Sequence, residues 1–168
     1  MKVHIGKYPS ARSKKERKIK VEIHDHDVWS FDNTLAHIVH PALVRLREIK
    51  HGAPNTDDQD APEHLRSTAA APKENDWDTD ALHFKRWDWI LDEMIWAFGQ
   101  EIADPNWENQ FHHGKFDDEF IDNDDGTVTW RQKSGSTYRF DREGWQAHHA
   151  RMQNGFRLFG KYYSSLWD

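Results

Sequence analysis

The chain contains no cysteine, which excludes a disulfide framework, a thiolate metal site and a cysteine nucleophile, and fits a reducing compartment. No stretch approaches the roughly 20 consecutive apolar residues of a membrane span. The opening Met1-Lys2-Val3-His4 also lacks the apolar core of a signal peptide. These absences predict a cytosolic protein with no membrane partner. The chain has no HExxH, no GxSxG, no GxGxxG and no GxxxxGK followed by Ser or Thr. Zincin, nucleophile-elbow, dinucleotide and P-loop chemistry therefore have no local signature, and no cofactor is expected.

Apolar character is also scarce: mean hydropathy is -1.01 and 31% of residues are charged. That balance alone points towards disorder, but nine Trp, nine Phe and four Tyr supply large rings to bury. A chain of 168 residues is long enough for one core and short for two, so 1–168 is read as a single globular domain. The net charge of -6 is unevenly spread. Lys2, Lys7, Arg12, Lys14, Lys15, Arg17, Lys18 and Lys20 stand against Glu16 in the first twenty residues, and the remainder is acidic. A basic loop over 9–17 is able to touch phosphates, but the acidic body repels a polyanion, which argues against nucleic acid as a partner.

The periodicities predict an α+β fold: three main helices, the central one apolar nearly all round, packed with a small antiparallel sheet of about four strands. Val3 and Ile5 alternate with polar residues, as do Ile19, Val21 and Ile23, giving two half-buried strands. Thr127 to Arg131 and Thr137 to Asp141 read as a hairpin connected through Ser134-Gly135-Ser136, with Asp124-Asp125-Gly126 as the turn leading into it. The first helix is expected from about Asn33 to Lys50, capped by Asp32, stopped before Gly52 and kinked or split at Pro41. The second spans about Asp80 to Ile102, with Trp87, Ile90, Leu91, Met94, Ile95 and Phe98 on one stripe and Trp89 and Trp96 on another. The third runs from about Arg142 to Trp167. The polar connection over 52–78, with one short helical turn at Pro62 to Ser67, is either a functional loop or a surface linker.

Twelve histidines invite a metal reading, but His24 and His26, His37 and His40, His112-His113 and His148-His149 lack a specific ligand spacing. The acidic run through Asp117, Asp118, Glu119, Asp122, Asp124 and Asp125 fails as a calcium loop, because counting back from Gly126 puts Ile121 at the first ligand position. The most informative stretch is Arg86-Trp87-Asp88-Trp89 with Asp92-Glu93, where charges lie on a nearly all-apolar helix. Two readings stay open. Internal ion pairs with Arg45, Arg66, Arg151 or Arg157 would neutralise them. Alternatively they mark a tryptophan-walled pocket in which Arg86 holds an anionic group. Gly155 and Gly160, on an otherwise aromatic helix leading into Lys161, Tyr162 and Tyr163, point to close approach of another backbone or a ligand.

At these segments the chain resembles a family of small proteins encoded by large tailed bacteriophages and their marine relatives. The matching stretches run from Trp29 to Pro54, from Asp57 to Phe98 and from Arg151 to Asp168, more than half of the sequence. His37 and His40 stand where the resemblance implies aliphatic residues, and His24-Asp25-His26 replaces a pattern richer in Trp and Asp. Arg86 to Trp89, Asp92-Glu93, His51-Gly52 and Asp57, Asp58, Asp60, Glu63 and Arg66 fit the pattern as they stand. No activity comes with the resemblance. It implies a phage gene; the general tendency of small phage accessory proteins to target host systems, and not the resemblance itself, gives the expectation of a protein of the host cytoplasm acting against host defence.

The candidate ligand-binding residues are His51, Arg66, Arg86, Trp87, Trp89, Asp92, Glu93, Lys161 and Tyr162. Candidate partners are a nucleotide signal or a host protein, and the abundance of Trp raises a homo-oligomer with ligand at its subunit contacts. The first functional reading is non-enzymatic binding. A second is a divalent-metal hydrolase or nuclease using Asp88, Asp92 and Glu93, or the cluster from Asp57 to Glu63. A third is a virion or assembly component.

Overall fold

The centre of the molecule is a helix with no polar side to spare. In the computed structural model, which describes residues 1–9, 15–103 and 106–167, this helix, α3, spans His83–Ala103 and buries Trp87, Ile90, Leu91, Met94 and Ala97 completely. At ~1.5–3 kcal/mol for each large side chain, this row is the main source of the core's stability. It lies between α2 (Phe31–Ile49) and α4 (Arg142–Lys161), and a five-residue helix α1 (Asp25–Trp29) precedes α2. Ala36 and Leu43 from α2, and Leu158 and Tyr162 from the C-terminal end of α4, complete the cluster.

Boundaries differ from expectation by small, explicable amounts. Helix α2 starts two residues earlier than predicted, with Ser30 and not Asp32 at its N-cap; Asp32 sits in the first turn, where its negative charge suits the helix dipole. It runs unbroken through Pro41 to Ile49. The predicted split is absent, because the packed faces on either side, including Ala36 and Leu43, hold the rod together. Asp141 caps α4 by accepting the Gly144 N–H at 3.0 Å. That helix ends at Lys161, earlier than Trp167, and a 3₁₀ turn at Tyr163–Ser165 follows.

The α+β class and the antiparallel pairing hold, but the strands form three separate two-stranded ladders, not one sheet of about four. β1 (Lys2–Ile5) pairs with β2 (Ile19–Glu22), opposing Val3 to Val21 and Ile5 to Ile19. Residues 10–14 of the basic loop between them lie outside the described residues. β3 (His112–His113) pairs with β6 (Arg139–Phe140), and β4 (Asp118–Asp122) pairs with β5 (Val128–Gln132). The expected hairpin between 127–131 and 137–141 is therefore wrong. Gly126, at φ 78°, closes a tight turn in which its N–H bonds to Asn123 O, so the strand at 128–132 folds back onto the acidic run before it. That run reads as a turn by composition, yet it carries Phe120 and Ile121, an aromatic and a β-branched residue that favour a strand.

Between α2 and α3 the connection is a folded strap with 3₁₀ turns at Asp58–Asp60, Glu63–Leu65 and Ser67–Ala69. Asp60 and Ala61 are buried, which excludes the surface-linker reading for this part. No described helix is long and apolar enough to cross a membrane.

Candidate functional site

The strap owes its order to three aspartates. Asp57 caps the first 3₁₀ turn by accepting the Gln59 N–H at 3.0 Å. Asp58 accepts both the backbone N–H and the hydroxyl of Ser67, which closes the next loop. Asp60, buried, accepts from Tyr162 Oη (2.7 Å), Arg157 Nη2 (2.7 Å) and Lys161 Nζ (2.5 Å) on α4. Burial pushes its carboxyl up, but the bonds from Lys161, Tyr162 and Arg157 together outweigh this and hold it below the usual aspartate range. Tyr162 Oη also accepts the Asp57 N–H at 2.9 Å, and its ring meets Trp87 edge-on at 5.7 Å.

On its other side the strap meets α3 at Arg86, which is only 3% exposed. Asp80 takes Nη1 at 3.0 Å and Nη2 at 2.5 Å in a bidentate pair, and Leu65 O accepts Nη1 at 2.9 Å. Asp80 also accepts the Leu82 N–H near the start of α3, and the Arg86 bond is the main reason its carboxyl titrates low. Arg86 Nε is buried without a hydrogen-bond partner; Asp58 Oδ1 lies 3.7 Å away, within ion-pair range only.

Arg86 forms part of the wall of an open cleft of about 660 Å³ bounded by the strap and the first turns of α3. Asn55, Thr56, Ser67, Thr68 and Thr79 bring hydroxyl and amide groups to it, and Thr56 Oγ1 is a second buried polar atom without a partner. Lys73 and Asp78 add one charge of each sign, so that with Arg86 and Asp80 the lining is balanced. Trp77, 83% exposed, supplies a flat apolar surface at the rim. His83 lines the cleft too, but its Nε2 is bonded to Ala53 O at 3.1 Å, so this ring fastens the strap.

The other residues singled out from sequence lie elsewhere. Lys161 and Tyr162 meet at Asp60, and Trp87 is a core ring touching Tyr162. Arg66 donates to Ala61 O within the strap, and His51 is exposed just past α2. Trp89 is partly buried against the core. Arg86 and Glu93 do not pair with each other. Glu93 takes a bidentate bond from Arg151 at 3.0 and 2.7 Å, with that guanidinium lying 3.9 Å over Trp96. Asp92 pairs with Arg47 at 2.9 Å, and Asp88 with Arg47 and Lys50. The trio Asp88, Asp92 and Glu93 is thus divided between α2 and α4. Among the described residues no group of three or more His, Asp or Glu side chains is placed to hold a metal ion.

Sequence reasoning missed Thr56, Trp77, Asp80 and His83. One signal was available: Trp77 stands between Asp76 and Asp78 in a stretch with no apolar period, where a large ring has no core to enter. Compared with known protein families, with characterised proteins and with solved structures, the chain matches none.

Proposed function

We propose that the protein is a non-enzymatic binding module that holds a small polar ligand with a flat ring, of the nucleoside or nucleotide class, in the cleft between strap and central helix. The observation that carries this reading is the pair of buried polar atoms, Arg86 Nε and Thr56 Oγ1, which lack partners at the wall of one cleft. An unsatisfied buried polar group costs ~1–3 kcal/mol, and a ligand atom or a ligand-bridging water recovers that cost. Trp77 supplies a stacking platform, and the hydroxyl and amide lining suits sugar and base edges better than a bare polyanion, because Arg86 is already neutralised by Asp80. In keeping with the family it resembles, the module belongs among phage accessory proteins that act in the host cytoplasm by sequestering a nucleotide signal.

Thermal denaturation with a panel of nucleosides, mononucleotides and cyclic dinucleotides tests this. A ligand at 100-fold its Kd stabilises the native state by about 2.7 kcal/mol, a rise of about 5–10 °C for a chain of this length. Trp77→Ala, at an exposed position, should abolish the rise and leave the free protein's Tm unchanged. If no member of the panel raises Tm at millimolar concentration, the reading is wrong.

A further inference from the structure

Two ladders carry largely exposed apolar faces and opposite charge, although Val3 at one edge borders a groove against Asn33, Thr34, His37 and Ile38 of α2. On β1–β2, Val3, Val21, Ile5 and Ile19 share one face, because directly paired residues and their i+2 neighbours point the same way. All four are exposed, Ile19 at 65%. Lys7 and Lys18 lie at the end of this ladder, and neither makes an ion pair among the described residues. On β4–β5, Phe120 opposes Trp130 and Asp122 opposes Val128, which puts two rings, a valine and a carboxylate on one face. Phe120 is 73% exposed there, and Asp122 and Asp124 are likewise without an ion pair among the described residues.

We infer that these two faces are the halves of a head-to-tail interface: the basic β1–β2 ladder of one copy docks on the acidic β4–β5 ladder of a second copy. The charge pattern selects this occupant, since each chain carries both the unpaired cations and the unpaired carboxylates that the other ladder needs. A two-stranded ladder is marginal alone and gains from packing against further strands. Burial of Phe120 and Trp130 against Val3, Ile5, Ile19 and Val21 supplies that packing. The two patches differ, so the contact is heterologous and propagates into a ring or an open chain. This inference is independent of the cleft and of what it binds.

Mass measurement by light scattering and sedimentation tests it on the whole chain. The wild type should associate at about 0.1–1 mM in about 50 mM salt, and the association should weaken at least about tenfold in about 500 mM salt, where ion pairs are screened. Ile19→Glu sets a carboxylate against the acidic ladder, and Phe120→Lys sets a cation against the basic one. Both side chains are largely in solvent, so neither change should disturb folding. Each variant alone should be monomeric, whereas an equimolar mixture, which keeps one intact face of each kind, should form complexes of at least twice the 20.0 kDa chain mass. A monomeric wild type at about 1 mM, self-association of either variant, or a mixture that stays monomeric would each overturn the inference.

Discussion

Substituting the two glycines of α4 with alanine should change stability in opposite directions. At Gly155 an added methyl carbon would collide with Ala97 Cβ and lie 2.7 Å from Glu93 O on α3, and both obstacles belong to a helix held by the buried core. Neither is the end of a flexible side chain, so α4 must move off α3, at a cost of ~1–3 kcal/mol or more. The intrinsic helix preference of Ala over Gly returns ~1 kcal/mol. The net expectation is a loss of up to about 2 kcal/mol, with the Arg151–Glu93 pair, one turn away, disturbed as well. At Gly160 the same methyl meets nothing within 4 Å, so only the helix preference operates and the protein should gain up to about 1 kcal/mol. Urea denaturation of the two variants and the wild type, with m-values checked for constancy, measures both signs in one series. A Gly155→Ala variant that gains stability as Gly160→Ala does would refute the close approach of the two helices.

Three further outcomes follow from other parts of the structure. Asp60→Asn should cost about 2–3 kcal/mol: hydrogen bonds to a charged group are worth ~1.5–3 kcal/mol each, but Arg157 and Lys161, 49% and 38% exposed, can return to water when the carboxylate is lost. Because the folded carboxyl titrates below its ordinary value of 3.8, its contribution is complete above that pH and is lost as pH falls through the lower folded value; the acid arm of a stability–pH curve should flatten in Asp60→Asn. His148 is stacked on Trp107 at 4.8 Å, and its pKa is lowered by burial first and by Arg151 and His149 next. The unfolded state then binds the proton more readily, so this contribution is complete above about pH 6.5 and declines as pH falls below it; comparing Tm between pH 8 and pH 5 in wild type and His148→Phe should show a smaller decline in the variant. Pro41→Ala, at an exposed position inside α2, frees an N–H to bond the His37 carbonyl and should raise stability by about 1 kcal/mol in the same urea assay, with no gain if the helix is already distorted to suit the proline.

Much of the helical scaffold was legible from the residues alone. The unbroken apolar wrapping from Trp87 to Phe98 requires a helix covered on both sides, and the stripes of α2 and α4 are the surfaces that cover it. The β1 and β2 strands were equally plain from the alternation of Val3, Ile5, Ile19 and Val21, but the expected half-burial is wrong: the apolar face they share is exposed, because a lone two-stranded ladder has no second layer over it. These patterns are local: they arise from periods of 3.6 and 2 residues and need no knowledge of distant partners. The charges of α3 posed the right question without an answer. Arg86, Asp88, Asp92 and Glu93 had to find partners, but only the fold decided that Asp80 takes Arg86, Arg47 takes Asp92 and Arg151 takes Glu93.

Strand pairing and the cleft belong to tertiary structure. Val128 to Gln132 alternates equally well for either neighbour, and the turn at Gly126 together with the backbone bonds from Lys133 to Asp117 and Thr137 to Lys115 chose between them. Thr56, Trp77 and His83 show no period and no motif, because they meet only when the aspartates of the strap fasten it to α3 and α4. Periodicity reports which face of one element is dry. It carries no record of which polar side chains, thirty or a hundred positions apart, will share a wall once the chain closes, since that depends on the sum of many contacts across the fold.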